Sequence, residues 1–255
     1  MNEPLALVTG AGRGIGKAIA LRLAQAKIPV ILVARSSEEI TEVRNNIVRS
    51  GGRAWACPCD ITESAEVDAL RNDIEAEVGT VNILVNNAGV ATTAKLEETT
   101  DEMWREIFAV NAEGAFHMLR AFAPGLKTGG GHVIAIASTA AVQGFRFTAA
   151  YTASKHALLG LMRAAAEELR STEITFSTLC PGFTRTQILE ASLEGAMSRG
   201  KSREEAELAF GKLNREGRVI EPEEIAETVY RLITDRNLPS GRTYHADGTV
   251  FEGNG

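Results

Sequence analysis

Short apolar runs alternate along the chain with stretches in which apolar residues recur every three or four positions. The runs fall at residues 5–9, 30–34, 53–59, 82–85, 132–137, 174–180 and 242–245. Those at 5–9, 30–34, 82–85 and 132–137 are rich in Val, Ile, Leu or Ala, the pattern of a strand covered on both faces. Helical spacing occupies residues near 15–27, 37–50, 63–78, 101–123, 151–170 and 223–235. Strict alternation of strand and helix predicts parallel strands joined by right-handed crossovers, with helices on both sides of the sheet. The expected fold class is α/β, a doubly wound parallel sheet of about seven strands flanked by helices. Nothing along residues 1–255 resembles a linker, repeat or low-complexity tract, so a single domain is expected.

Two of the helical stretches, 101–123 and 151–170, are long and apolar over a wide arc. Residues 187–218 break the alternation: they are helical in propensity, highly charged and poor in large apolar groups. A long excursion after the carboxyl end of a strand is expected to act as a lid over a site.

Composition narrows the picture without changing it. Apolar residues make up 44% and charged residues 24% of the chain, ordinary globular usage. The net charge of −6 and the lack of a Lys/Arg stripe argue against nucleic acid as a partner. Three cysteines, Cys57, Cys59 and Cys180, are too few and too odd in number for a disulfide framework, which favours a reducing compartment. They lack the companion ligands of a metal centre, and no metal is expected. Met1-Asn2-Glu3-Pro4 carries no basic leader, and no run approaches the roughly 18 apolar residues of a membrane span. A cytoplasmic protein without a membrane partner is expected.

The first candidate chemistry lies between the first strand and the first helix, in Thr9-Gly10-Ala11-Gly12-Arg13-Gly14-Ile15-Gly16. Glycines there permit a tight turn and let backbone N–H groups approach a pyrophosphate at the positive end of the helix. The spacing is G-x-x-x-G-x-G, from Gly10, Gly14 and Gly16, rather than G-x-G-x-x-G. A site selective for NAD(H) would carry an acidic residue at the end of the second strand for the ribose 2′-OH. The chain instead reads Val33-Ala34-Arg35-Ser36, with no carboxylate before Glu38. Arg35, joined by Arg13, is placed to accept a 2′-phosphate, so NADP(H) is preferred and NAD(H) remains open.

The second lies on the fifth strand and the helix that follows. Tyr151 and Lys155 are four residues apart and share a helix face; Ser138 follows the fifth strand at the sheet's carboxyl edge. Carbonyl reduction needs a proton donor at oxygen, and the ordinary tyrosine pKa near 10 is high for that task. An ammonium neighbour is expected to lower it, and the serine hydroxyl to hold the substrate oxygen.

Taken in order, these residues resemble the short-chain dehydrogenase/reductases, and the resemblance covers nearly the whole chain. Thr9–Gly16 is similar to the family's cofactor loop, and Asn86-Asn87-Ala88-Gly89 to its NNAG turn. The resemblance implies a Rossmann-type fold. It implies that Asp60, with Ile61 beside it, holds the adenine, and that Asn87, Ala88 and Gly89 border the cofactor. It also implies that Asn111 kinks its helix and holds a water leading to lysine, and that Ser138, Tyr151 and Lys155 are catalytic, with Lys155 also on the nicotinamide ribose. Pro181 and Gly182 match the turn beside the nicotinamide, and Thr184 and Thr186 the stretch that contacts carboxamide and phosphate. One departure is His245-Ala246-Asp247-Gly248-Thr249, where the family often ends its last strand with V-D-G-G. Phe145, Arg146 and Phe147, between Ser138 and Tyr151, are expected to line the substrate pocket.

The expected function is hydride transfer between nicotinamide and a carbonyl or secondary alcohol, with tyrosine as general acid and base. Overall likeness points to a 3-oxoacyl thioester reductase or polyketide ketoreductase; the alternatives are a dehydrogenase of a sugar, steroid or cyclic alcohol, and a non-catalytic cofactor sensor. The partner is a small molecule, and the family resemblance implies a dimer or tetramer of the chain.

Overall fold

In the computed structural model, residues 3–235 and 237–251 are described; Met1, Asn2 and the last few residues of the expected 1–255 unit lie outside them. Seven parallel strands form one sheet: β1 (Ala6–Thr9), β2 (Val30–Ala34), β3 (Ala54–Pro58), β4 (Ile83–Asn86), β5 (Gly131–Ile136), β6 (Ile174–Cys180) and β7 (Arg242–His245). Their order is β3-β2-β1-β4-β5-β6-β7, so the winding reverses between β1 and β4. In open α/β sheets, ligands bind outside the strands' carboxyl ends at that reversal.

Among the described residues nine α-helices connect and flank the strands: α1 (Gly14–Gln25), α2 (Ser37–Arg49), α3 (Ser64–Glu77), α4 (Asp101–Phe108), α5 (Gly114–Gly129), α6 (Ala149–Glu168), α7 (Gln187–Met197), α8 (Arg203–Gly211) and α9 (Pro222–Thr234). The period of two along each strand sorts its side chains into two cores. Ala6 and Val8 pack with Ile19 and Leu23 of α1, Ile40 and Val43 of α2, and Ile225 and Val229 of α9. Leu7, on the opposite face, joins Leu70 of α3, Met118 and Phe122 of α5, and Leu158 and Met162 of α6. Both faces of the inner strands are covered, which is why β1, β2 and β4 read as largely apolar runs.

Two helices differ from the sequence pattern in ways that bear on the site. The single helix expected over 101–123 is interrupted by a π-helical turn, Ala109–Glu113, and resumes to Gly129. A π turn inserts a single extra residue, a phase shift too local for helical spacing over this stretch to reveal. The helix bearing Tyr151 starts two residues earlier, at Ala149. The excursion after β6 folds as α7 and α8 around a small core of its own, with Leu189, Leu193, Ala196, Ala206 and Val219 buried together.

Candidate active site

The glycine loop is fixed by its neighbour across the switch point. The Thr9 hydroxyl accepts hydrogen bonds from the backbone N–H groups of Asn87 (2.9 Å) and Ala88 (3.0 Å). The Asn87 side-chain amide donates back to the Thr9 carbonyl at 2.8 Å. Gly10 takes the left-handed φ of +64°, and a Cβ at Gly16 would stand 2.2 Å from the Gly10 carbonyl oxygen. The loop is therefore held in a turn that only glycine permits, against the start of α1. No side chain caps that helix and its first turn has no acidic residue, so its N–H groups face the cleft.

That cleft, about 400 Å³, is lined by Gly10, Gly12, Arg13, Gly14, Ile15, Arg35, Asp60, Ile61, Asn87, Ala88, Gly89, Tyr151, Lys155 and Thr186, all expected from the sequence to meet a cofactor. Gly16 does not line it; its role is the close approach to Gly10. The bare helix end, the glycine cradle and a lining that runs from Arg35 and Asp60 to Tyr151 and Lys155 fit a nicotinamide dinucleotide. At its far end the charges are paired. Arg35 lies 3.9 Å from Asp60, and Arg13 lies 3.5 Å from Glu39; both arginine side chains are more than half exposed. Glu39 was not singled out by the sequence pattern. The Ser36 hydroxyl accepts from its backbone N–H at 3.3 Å, capping α2 and folding Glu39 back toward Gly12.

A second cavity of about 140 Å³ adjoins the cleft at Tyr151 and Ile15, and Ser138, Pro181, Gly182, Thr184 and Thr186 also line it. Ser138 and Tyr151 thus meet here, as the sequence order implies. Burial pushes the Tyr151 phenol above its ordinary range, and a hydrogen bond with the Ser138 hydroxyl pulls it the other way. The expected lowering by Lys155 does not appear: its ammonium donates to the Ile136 carbonyl at 3.0 Å and stands 5.8 Å from the Tyr151 ring centre. Burial lowers Lys155 itself to about 8. Cys180, at the end of β6, sits behind this pair, its thiol raised to about 11 by burial.

Asn111 occupies the π turn and is fully buried. Its Oδ1 accepts from the Val90 N–H at 2.8 Å, and its Nδ2 donates to the Val90 carbonyl (2.9 Å) and the Ser154 hydroxyl (3.0 Å). It ties the loop after β4 to the Tyr151 helix, one residue from Lys155. A Cβ on Gly89 would lie 3.2 Å from Asn111 Oδ1 and 3.4 Å from Lys155 Nζ, so Asn111 and Lys155 converge on the same glycine.

Of the aromatic loop, Phe145 lines the second cavity, whereas Arg146 and Phe147 project outward with the guanidinium 5.1 Å from the Phe147 ring centre. Sequence spacing also missed Asn214. Its Oδ1 accepts from the Phe183 N–H at 2.7 Å and its Nδ2 donates to the Phe183 and Arg218 carbonyls, each at 2.8 Å. A Cβ at Gly182 would lie 2.1 Å from that Oδ1, so Gly182 is glycine to admit it. Among the described residues no cluster of His, Cys, Asp and Glu has the form of a metal site, and no helix is long and apolar enough to cross a membrane.

A doubly wound sheet with a glycine cradle at its switch point, opening onto a buried lysine and a half-buried tyrosine and serine, defines a dinucleotide-binding oxidoreductase architecture. The short chain dehydrogenase family model matches residues 4–196, and the chain belongs to that family of oxidoreductases. It is 34% identical over 252 residues to a 3-oxoacyl acyl-carrier-protein reductase of Synechocystis sp., covering 97% of each chain. It is 33% identical over 250 residues to a cyclohexanol dehydrogenase of Acinetobacter sp., covering 97% of this chain and 94% of that one. The crystal structure of a variant actinorhodin polyketide ketoreductase with NADPH superposes with a TM-score of 0.90 at 31% identity, covering 96% of both chains.

Proposed function

We propose that the protein is an NADP(H)-dependent ketone reductase and secondary alcohol dehydrogenase in which Tyr151 moves the proton. The observation that carries this is the meeting of Ser138 and Tyr151 in a cavity that opens directly off the dinucleotide-sized cleft. When bound, the nicotinamide supplies or accepts the hydride at carbon. Ser138 holds the carbonyl oxygen by donating a hydrogen bond, and Tyr151 donates its phenolic proton to that oxygen as charge develops. In the oxidative direction Tyr151 takes the alcohol proton back. Lys155, which lines the cleft beside Tyr151, contributes to holding the nicotinamide ribose. Asn111 positions the loop and helix that carry these groups. The segment of α7 and α8, whose Ile188, Leu189 and Ser192 line the cavity, serves as the lid.

Arg13 and Arg35 support the preference for NADP(H), because a 2′-phosphate carries nearly two negative charges at neutral pH and Arg35 offers it a planar fork. The NADPH-bound structural neighbour agrees with that preference. Among substrates, a 3-oxoacyl thioester and a cyclic alcohol are each favoured by one relative of nearly full coverage.

Tyr151→Phe keeps the ring and removes the proton donor. The substitution is expected to leave NADPH affinity within about twofold and to lower turnover of a ketone by about a thousandfold. Stopped-flow absorbance at 340 nm with a ketone panel, beside a fluorescence titration of NADPH, checks both. Turnover near that of the unsubstituted protein would remove Tyr151 from the mechanism.

A further inference from the structure

We infer that the cavity beside Tyr151 is built for a neutral, apolar ketone and its secondary alcohol, and rejects substrates that carry a carboxylate near the reacting carbon. The inference rests on the carbonyl–alcohol chemistry proposed above and specifies the substrate class of the same site.

Its walls are aromatic and aliphatic. Phe145 and Phe183 meet edge to face with ring centres 6.1 Å apart, and Phe183 packs on Phe210 at 4.8 Å; Ile188 and Leu189 of α7 also line the cavity, Leu189 in the small core on which Phe183 and Phe210 pack. Apart from Ser138 and Tyr151, its polar groups are hydroxyls such as those of Thr93 and Ser192, and among the described lining residues none carries a formal charge.

The charged residues nearest in sequence are engaged elsewhere. Arg146 is exposed and stacks over Phe147. Arg185 donates to Glu207 at 2.6 Å and to Glu221 at 2.9 Å. Glu190 accepts from Arg203 at 2.8 Å. Lys155 belongs to the adjoining cleft and is bonded to the Ile136 carbonyl. A carboxylate entering the cavity would give up water and gain no cation in exchange, a large penalty, whereas an apolar ring or chain gains by leaving water.

Matched probes separate this inference from the chemistry on which it rests. The protein with NADPH is assayed with cyclohexanone against 4-oxocyclohexanecarboxylate and with ethyl acetoacetate against acetoacetate. In parallel, saturation-transfer NMR reads the binding of the same four compounds to the protein with NADP⁺. The neutral member of each pair is expected to have kcat/KM higher by about a hundredfold and to show the stronger transfer. Carboxylates turned over within about threefold of their neutral partners would overturn the substrate class while leaving the carbonyl chemistry intact. If no probe is reduced, the chemistry fails and the NMR decides: selective binding of the neutral compounds upholds the cavity's preference, and equal binding, or none, overturns it. Ser192→Lys, which adds a cation on a partly exposed helix position lining the cavity, is expected to bring the ratio at least about tenfold closer to unity. An unchanged ratio would mean that discrimination arises elsewhere and would equally overturn the inference.

Discussion

At the scale of single residues, two ionisations set the site's response to pH and to its cofactor. Burial keeps Tyr151 protonated across the neutral range, so the proton donor is ready for reduction. Lys155, lowered to about 8, loses its charge as pH rises through that value. Ketone reduction is therefore expected to decline above pH 8, with the descending limb absent in Lys155→Met, whose residual rate is low throughout; a profile of kcat that stays flat to about pH 10 would contradict this. The same shift bears on stability. Because the folded value lies below the unfolded one near 10.5, the unfolded chain binds more protons between about pH 8 and 10.5, and stability contributed by this group rises with pH across that window. Below it the buried ammonium costs roughly 3 kcal/mol, so Lys155→Met should unfold at higher denaturant than the parent at pH 7, with the gap closing toward pH 10. Glu39 stands against Arg13 and lines the same cleft, where a 2′-phosphate is proposed to meet Arg13 and Arg35. Glu39→Gln is expected to tighten NADPH about two- to fivefold and leave NADH nearly unchanged, since exposed charge pairs contribute up to about 1 kcal/mol. Titration of both cofactors decides it; an equal gain for NADH would mean that Glu39 acts on something other than the phosphate.

At the scale of elements, the strands were legible to within a residue or two because the inner ones are buried and largely apolar, the edge strands β3 and β7 less so, and the strict alternation with helices carried the topology. The cleft residues were legible for a related reason: Gly10, Asn87 and Tyr151 sit in short motifs whose spacing is local. What escaped was set by tertiary contact. The π turn at Asn111 leaves no mark on helical periodicity, although the asparagine itself was identified from its family position. Glu39 is one more charged residue on an exposed helix until the cap at Ser36 folds it back. Asn214 lies 31 positions from Phe183, beyond the reach of any spacing rule. There it joins the end of the α7–α8 segment to the Pro181-Gly182-Phe183 turn, satisfying both backbone groups of Phe183 with one amide. Asn214→Ala would leave those buried groups unpaired, at a cost of about 2–4 kcal/mol, and would free the wall of the substrate cavity. The expected result is a raised KM for ketones with NADPH affinity little changed; Asn214→Asp, which keeps the acceptor for the Phe183 N–H, should recover part of the loss. Unaltered KM in the alanine variant would confine Asn214 to stability alone.

At the scale of the molecule, the sheet buries both its faces, yet the outer side of its helical layer stays apolar in places. Trp104 of α4 stacks on Phe108 with ring centres 4.7 Å apart and is 43% exposed; Phe116 of α5 is 42% exposed beneath the Arg120 guanidinium. Large aromatic groups left in water on adjacent helices are the mark of a surface that meets another chain, and self-association needs only one such surface used twice about a two-fold axis. This matters for the site, because the helices concerned flank the π turn that carries Asn111. The protein is expected to be a dimer or tetramer at micromolar concentration, with a light-scattering mass about two or four times the 27.3 kDa of the chain. Phe116→Glu should shift that mass toward the monomer by placing a charge where the contact must be dry. A monomer mass for the unsubstituted protein would assign Trp104 and Phe116 to the free surface. Loss of activity that tracks loss of assembly across protein concentration would show that the contact between chains holds Asn111, and through it the loop after β4, in its working position.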